Sequence, residues 1–212
     1  MSESIVFYPD SHWDSPYVFS VFVALTEKRL PFTARPLDLD RGEQRGADYR
    51  RKSLTARVPA IEHEGFVLSE SLAIVEYLDE RFGPPAHPLL LPTGLRERAR
   101  ARQVLGWLRS DLLPLRDERP TTTMFGPRAT APLGEKARAS ADKLVEIAEA
   151  LVPSGEGDLF GSFTMADADL AFMLHRLILN GDSVPERVAR YAARQWQRPS
   201  IQAFVKRAEA GR

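Results

Sequence analysis

Cysteine is absent from the 212 residues. That absence excludes a disulfide framework, a protein thiolate nucleophile and any cysteine-ligated metal. Histidine is scarce: His12, His63, His87 and His175 are scattered, and none has the i, i+4 histidine partner of a helical zinc site. A resident metal is therefore not expected. Nor is there an excess of one charge sign. Acidic and basic residues number 29 each, so the basic surplus of a nucleic-acid or anionic-membrane binder is missing. No apolar run reaches the ~18 residues of a membrane span. The N-terminus, MSESIVFYPD, lacks the basic and then apolar pattern of a signal peptide. Glycine-rich phosphate-binding motifs are missing too, so no nucleotide cofactor is expected. What remains is the composition of a cytoplasmic globular protein, long enough for one large domain or two small ones.

What is present is organised in two halves. SIVFY, residues 4–8, is short, β-branched and aromatic, and stops at Pro9, as a strand does. Pro16 to Lys28 reads as a helix apolar on most sides, and hence buried. FTARPLDL, 32–39, reads as a second strand that Pro36 interrupts. Val58–Glu62 and Phe66–Leu68 flank a turn at His63-Glu64-Gly65. Ser69–Phe82 reads as an amphipathic helix, with Ile74, Leu78 and Phe82 on one side and Glu76, Asp79, Glu80 and Arg81 elsewhere. The order is β-α-β, then β-β-α. GPPAHPLLLPT, 83–93, carries four prolines and reads as a semi-rigid linker. Beyond it only helical patterns follow, at 95–113, 132–151, 166–180, 185–192 and 199–210.

Three short motifs carry chemistry. Ser15 precedes Pro16 at a helix start. Ser-Pro there serves as an ordinary N-cap and N1 pair. The same placement puts a hydroxyl in the positive field of a helix end, where it can donate to a thiolate and favour its ionised form. Arg57-Val58-Pro59 opens a strand; it is either a plain turn or an extended backbone edge facing a ligand. Ser69-Glu70-Ser71 opens the next helix. It reads as capping, or as a site where helix-start amides and Ser71 hold a carboxylate while Glu70 accepts from an ammonium. In the helical half, Thr164 and Asp167 fit a capping box. Asp169 reads as solvated. Trp107, Arg109, Asp111, Arg116 and Arg119 read as a core aromatic and surface charges.

In this order and spacing the motifs resemble the cytosolic glutathione S-transferases. RVPAIEHEGFVLSESLAIVEYLDERF, residues 57–82, is similar to the family's glutathione-site segment. SPYVFSVFVALTEKRLPF, 15–32, is similar to the active-site helix of its bacterial serine-type (Ser-Pro-aromatic) members. TMADADLAF, 164–172, resembles the family's buried capping box, and RPSIQAF, 198–204, its last helix. The resemblance covers essentially the whole chain.

It implies an α/β thioredoxin-like glutathione-binding domain at 1–83, a linker at 84–93, and an all-α domain at 94–212 that forms the electrophile site. Glutathione is the implied co-substrate, with no metal and no nucleotide. The implied activity is a glutathione S-transferase acting on small electrophiles in detoxification or stress response. A glutathione-dependent peroxidase or disulfide-bond reductase would share the site, and a non-catalytic interaction module is the remaining alternative. A homodimer is implied, without nucleic acid or membrane. Carried over by residue, Ser15 stabilises the thiolate, Val58 pairs its backbone with the cysteinyl unit, and Pro59 is cis. Glu70 and Ser71 hold the γ-glutamyl end, and Arg57 lies near the glycyl carboxylate. Tyr8 is the alternative catalytic residue, with Tyr17 and Ser11 as further rivals. Phe19 and Ser20 stand where serine-type relatives often carry basic residues. The zeta-type Cys and Trp-Arg are absent, which counts against maleylacetoacetate isomerase activity. Acceptor specificity is expected in a loop at 116–132.

Overall fold

The computed structural model describes residues 5–211; Met1–Ser4, including the first residue of the expected opening strand, and Arg212 lie outside the description. The chain divides into two compact units. One runs to Leu90 and takes in the chain from Ala203; the other is Leu91–Gln202.

The first unit is built on a four-stranded sheet. β1 (Ile5–Tyr8) leads through a loop to α1 (Pro16–Glu27). Ser15 caps α1, its hydroxyl accepting from the Val18 N–H at 3.4 Å, and Pro16 sits where no N–H is needed. β2 (Phe32–Ala34) is shorter than the expected 32–39 strand. Pro36 has no N–H for a ladder, and past it only an isolated bridge joins Asp10 to Leu37. A 3-10 turn (Glu43–Arg45) and α2 (Ala47–Arg50) fill a stretch without apolar periodicity. β3 (Ala60–His63) and β4 (Phe66–Ser69) form a hairpin, followed by α3 (Ser71–Arg81). Its two-residue turn is Glu64-Gly65, with φ of 52° and 82°, the pair of positive angles that matches strand twist. The strand order is β2-β1-β3-β4, with β2 parallel to β1 and the other pairs antiparallel.

Alternation along β1 separates two faces. Phe7 is fully buried, and its ring meets Trp13 and Phe32, both of which touch Phe22 of α1. Tyr8 points to the other face, against Tyr49 of α2.

The proline-rich stretch is pinned by a device not legible in its composition. Lys28 is completely buried. Its ammonium donates to the carbonyls of Phe82 at 2.7 Å and Pro88 at 2.8 Å and pairs with Asp79 at 3.2 Å. Asp79 accepts from the Leu90 N–H at 2.6 Å. Asp79, expected on the polar side of its helix, is therefore a core residue, because a buried cation and an amide both need its charge. The Pro84–Pro85 peptide is cis.

The second unit is helical: α4 (Leu95–Ser110), α5 (Leu113–Glu118), α6 (Thr122–Phe125), α7 (Glu135–Leu151), α8 (Met165–Ile178) and α9 (Glu186–Trp196). α10 (Pro199–Ala210) carries the chain back to the first unit, where Phe204 meets Phe19 at 5.2 Å. The expected loop 116–132 contains the end of α5 and all of α6. α8 is the most deeply buried helix of this unit, from Met165 to Leu177. Two expectations of surface charge fail here. Asp169 is buried and pairs with Arg109 at 2.8 Å. Arg119 is buried too, bonded to Asp182 at 2.6 and 2.9 Å and to the Ala131 carbonyl at 3.0 Å. In both cases a partner distant in sequence makes burial affordable.

Candidate functional site

Strand register assembles the site. Tyr8 stands opposite Ala60, and Ala60 opposite Ser69. These three residues form one row at the same sheet end. Just past it the chain leaves the sheet three times, side by side. Pro9–Ser15 leads into α1, Val58-Pro59 enters β3, and Glu70-Ser71 starts α3. Three motifs far apart in sequence thus share one edge, with two helix N-termini among them.

Ser15 is half-buried, with extended backbone (φ −67°, ψ 126°). Toward Val18 the hydroxyl accepts, which leaves its hydrogen to donate elsewhere. α1 has no acidic residue in its first turn; the acids at its start are Asp10 and Asp14, in the loop before it.

The loop before it holds a group that motif reading passed over. Asp10 is buried, with 1% of its surface exposed. One carboxyl oxygen accepts from the Asp14 N–H at 2.9 Å; the other, Oδ1, is buried without a hydrogen-bond partner. Burial pushes its pKa up, against the pull of the Asp14 amide.

The Val58–Pro59 peptide is cis, and both residues are buried. The Arg57 side chain is exposed, but its backbone is gripped from two sides. Its carbonyl accepts from Tyr49 and from Ser53, both at 2.8 Å, and its N–H donates to Ser53 Oγ at 3.1 Å. The segment before the cis bond is therefore held on both sides, while the guanidinium lies in solvent.

At the third exit, the capping reading of Ser69 needs revision. The N-cap of α3 is Glu70, and no side chain caps the helix. Ser69 instead accepts from the Leu54 N–H at 3.1 Å, tying the 53–57 loop to the end of β4. Glu70 has φ 72° and ψ 112°. A non-glycine residue there stores about 1–3 kcal/mol of strain. Its carboxylate is exposed and accepts from the Thr55 hydroxyl at 3.0 Å. Ser71 is buried at the first position of α3, beside the helix's unpaired N–H groups.

Tyr8 is placed differently. Its hydroxyl donates to Glu62 at 3.1 Å, and Glu62 also takes Lys52 at 2.6 Å. The Lys52 ammonium lies 5.4 Å from the Tyr8 ring centre. Hydrogen bonding from Lys52, then from Tyr8, holds the Glu62 carboxyl below its ordinary range, and Glu62 raises Lys52. This cluster occupies the α2 face, whereas Ser15 starts the helix on the other. Ser11 and Tyr17 are half-buried, and the Ser11 N–H is spent on the Leu37 carbonyl. Phe19 and Ser20 also find a reason. Both are buried; Phe19 packs on Phe204, and Ser20 donates to the Pro16 carbonyl at 3.2 Å. A cation at either position would face a dry core. Among the described residues no group of three or more acidic or histidine side chains is placed to hold a metal.

Comparison with known proteins adds to this geometry. Residues 14–81 match the family model for the glutathione S-transferase N-terminal domain, and 94–209 that for the C-terminal domain. A crystal structure of a Burkholderia glutathione transferase homolog with bound glutathione is 38% identical, covering 98% of this chain and 99% of that one, with a TM-score of 0.81. A diazinon-metabolizing glutathione S-transferase from Bombyx mori shares the fold at 23% identity, with a TM-score of 0.78 over 98% of each chain. Among curated proteins, maleylacetoacetate isomerase of Dictyostelium discoideum is 36% identical over 50% of this chain and 48% of its own length. Glutathione S-transferase Z1 of Arabidopsis thaliana is 33% identical over 49% and 46%. The chain spans about half the length of the curated relatives it matches.

Proposed function

The chain belongs to the glutathione S-transferase family, and from that premise we propose that it binds glutathione along the row of strand ends and activates its thiol through Ser15. The observation that carries this reading is the shared row itself, Tyr8–Ala60–Ser69, which puts Ser15, Val58-Pro59 and Glu70-Ser71 on one edge. A γ-glutamyl end offers a carboxylate to the amides and hydroxyl at the start of α3 and an ammonium to Glu70. The peptide middle runs past Val58, and Arg57 reaches the glycyl carboxylate. The sulfur then falls at the start of α1, before the Ser15 hydroxyl. Tyr8, bonded to Glu62 on the other face, is the weaker candidate for that role.

The energetics are sufficient. A free thiol has a pKa of about 8.5, so only a few per cent ionises at neutral pH. Lowering it by ~2 units requires about 2.7 kcal/mol of preference for the thiolate. One charge-assisted hydrogen bond and a helix terminus supply energy of that order. The thiol proton leaves to solvent. The thiolate sulfur then bonds to the electrophilic carbon as its leaving group departs or its π bond opens. This chain contributes binding, orientation and the charge preference.

Curated relatives bear the name maleylacetoacetate isomerase. The sequence has no cysteine, so any isomerisation would also draw its thiolate from glutathione. Peroxide or disulfide reduction by glutathione would use the same thiolate.

The test is Ser15→Ala, read by ultraviolet titration of the bound thiolate. The expected result is a rise in bound-thiol pKa of ~1–2 units, with retention on a glutathione column kept. A pKa unchanged by the substitution, with a stability loss of about 1 kcal/mol, would reduce Ser15 to a helix cap. A wild-type protein that the column does not retain would favour an interaction module.

A further inference from the structure

The β1–α1 loop contains a buried acid that neither the sheet nor the helix requires. Asp10 follows Pro9, beyond the last residue of β1, and is 1% exposed. A carboxyl that deep is costly unless something uses it. It anchors the loop at two levels. Its backbone lies in the bridge to Leu37, flanked by Leu37 N–H to Pro9 carbonyl at 2.9 Å and Ser11 N–H to Leu37 carbonyl at 2.9 Å. Its own carbonyl accepts from the Trp13 N–H at 3.3 Å, and its Oδ2 from the Asp14 N–H at 2.9 Å. Trp13 takes a left-handed φ of 56° within that turn. Asp14 and then Ser15 follow it. The Ser15 backbone N–H also bears on the Asp10 carboxyl, lowering a pKa that burial raises more strongly.

We propose that Asp10 is a positioning residue for Ser15, its buried carboxyl holding the Asp14–Ser15 backbone so that the Ser15 hydroxyl faces the bound sulfur. The required property is an acceptor oxygen at a fixed place, not a charge. A negative charge at the start of α1 would oppose a second one on the sulfur; Asp14 is the other acid beside it. The upward push of burial on Asp10 works against that conflict. The remaining oxygen, Oδ1, is buried and unpartnered. The Asp14 N–H needs one acceptor oxygen, which a protonated carboxyl or an amide also supplies. This inference rests on the role given to Ser15 above.

The experiment compares full-length wild type, Asp10→Ala, Asp10→Glu and Asp10→Asn, with Ser15→Ala as reference. Each is read by the pKa of bound glutathione's thiol and by thermal melting. Asp10→Ala is expected to raise the thiol pKa by ~1 unit, about a tenfold loss of thiolate at a fixed pH below it. Asp10→Glu keeps the charge but displaces the acceptor, and should shift the pKa the same way; it decides the matter if the alanine variant does not fold. Asp10→Asn, which keeps an acceptor oxygen without the charge, should restore a thiol pKa within ~0.3 units of wild type. In a Ser15→Ala background, Asp10→Glu should add nothing further, as expected of a residue acting through another. A Ser15→Ala shift with Asp10→Ala or Asp10→Glu unchanged overturns the positioning role and leaves Ser15 in place. An Asp10→Asn shift as large as that of Ser15→Ala overturns it as well. No shift in Ser15→Ala defeats the reading of Ser15 itself.

Discussion

Polar groups at the sheet end of the first unit and in the core of the second are treated in opposite ways. At the sheet end of the first, Ser15 is half-buried, Glu70 and Arg57 are exposed, and their side chains have few or long-range partners. In the second, Asp167 is fully buried and saturated. It accepts from the Leu159 and Thr164 N–H groups at 2.8 and 2.9 Å and from the Thr164 and Tyr191 hydroxyls at 2.8 and 2.7 Å. Arg119 and Asp169 are satisfied in the same way. A group saturated by its own protein has nothing to offer a ligand; it fixes a core. A group left short of partners on a rigid frame is available to one. The difference separates residues that hold the fold from those proposed above to meet glutathione.

That contrast can be broken from either side. The largest effect should come from Asp167→Ala. Four donors lose their acceptor inside α8's surroundings, and a loss on the order of 3–5 kcal/mol is expected in urea unfolding. The bound-thiol pKa, measured on the fraction that folds, should not move; a shift there would erase the distinction between the two groups of residues.

His175 gives the next effect, and it depends on pH. Burial pushes its pKa down to about 4 from 6.5, against the Ala171 carbonyl that its Nδ1 contacts, and its ring stacks on Trp196 at 3.9 Å. Between those two pH values the unfolded chain binds a proton that the folded one refuses. Stability should therefore fall as pH drops below about 6.5 and level off below about 4, by up to ~3 kcal/mol. His175→Phe keeps a stacked ring without the titration. Its loss of stability between pH 7 and pH 4.5 should be smaller than that of wild type; equal slopes would mean that other groups govern the acid limb.

Glu70→Gly should have the smallest effect on stability and a large one on binding. Glycine relieves the positive φ but adds freedom to the unfolded chain, so the net change should stay within ~1 kcal/mol. Glutathione affinity should fall at least tenfold if Glu70 takes the ammonium. Unchanged affinity would show that the strain at Glu70 serves only the backbone.

Much of this was legible in local sequence. Ser15-Pro16 announced a helix start, and Glu64-Gly65 lay inside the expected turn. The Thr164–Asp167 box showed its spacing. What local pattern could not reveal was pairing across distance. Lys28 looks like any cation at a helix end, and Asp79 like any acid on a polar face. Their burial follows from meeting each other and the carbonyls of Phe82 and Pro88. Asp169 and Arg109 escaped for the same reason. Asp10 escaped because an acid in a loop after proline has a solvated reading by default, and its bridge to Leu37 is another pairing across distance.

The Tyr8–Ala60–Ser69 row has one further consequence. A platform made from neighbouring strand ends is an alignment device. Its parts stay together as long as the strands keep step, whichever apolar residues fill their interiors. Apolar exchanges within β1 or β3 should be forgiven, since they leave the spacing of the exits untouched. A single residue inserted within β4 would not be. It would shift the residues beyond it against β3, turn their side chains to the opposite face, and carry Glu70-Ser71 out of step with Val58-Pro59. The vulnerable point of the site is thus the pairing register of the β3–β4 hairpin rather than the filling of its interior.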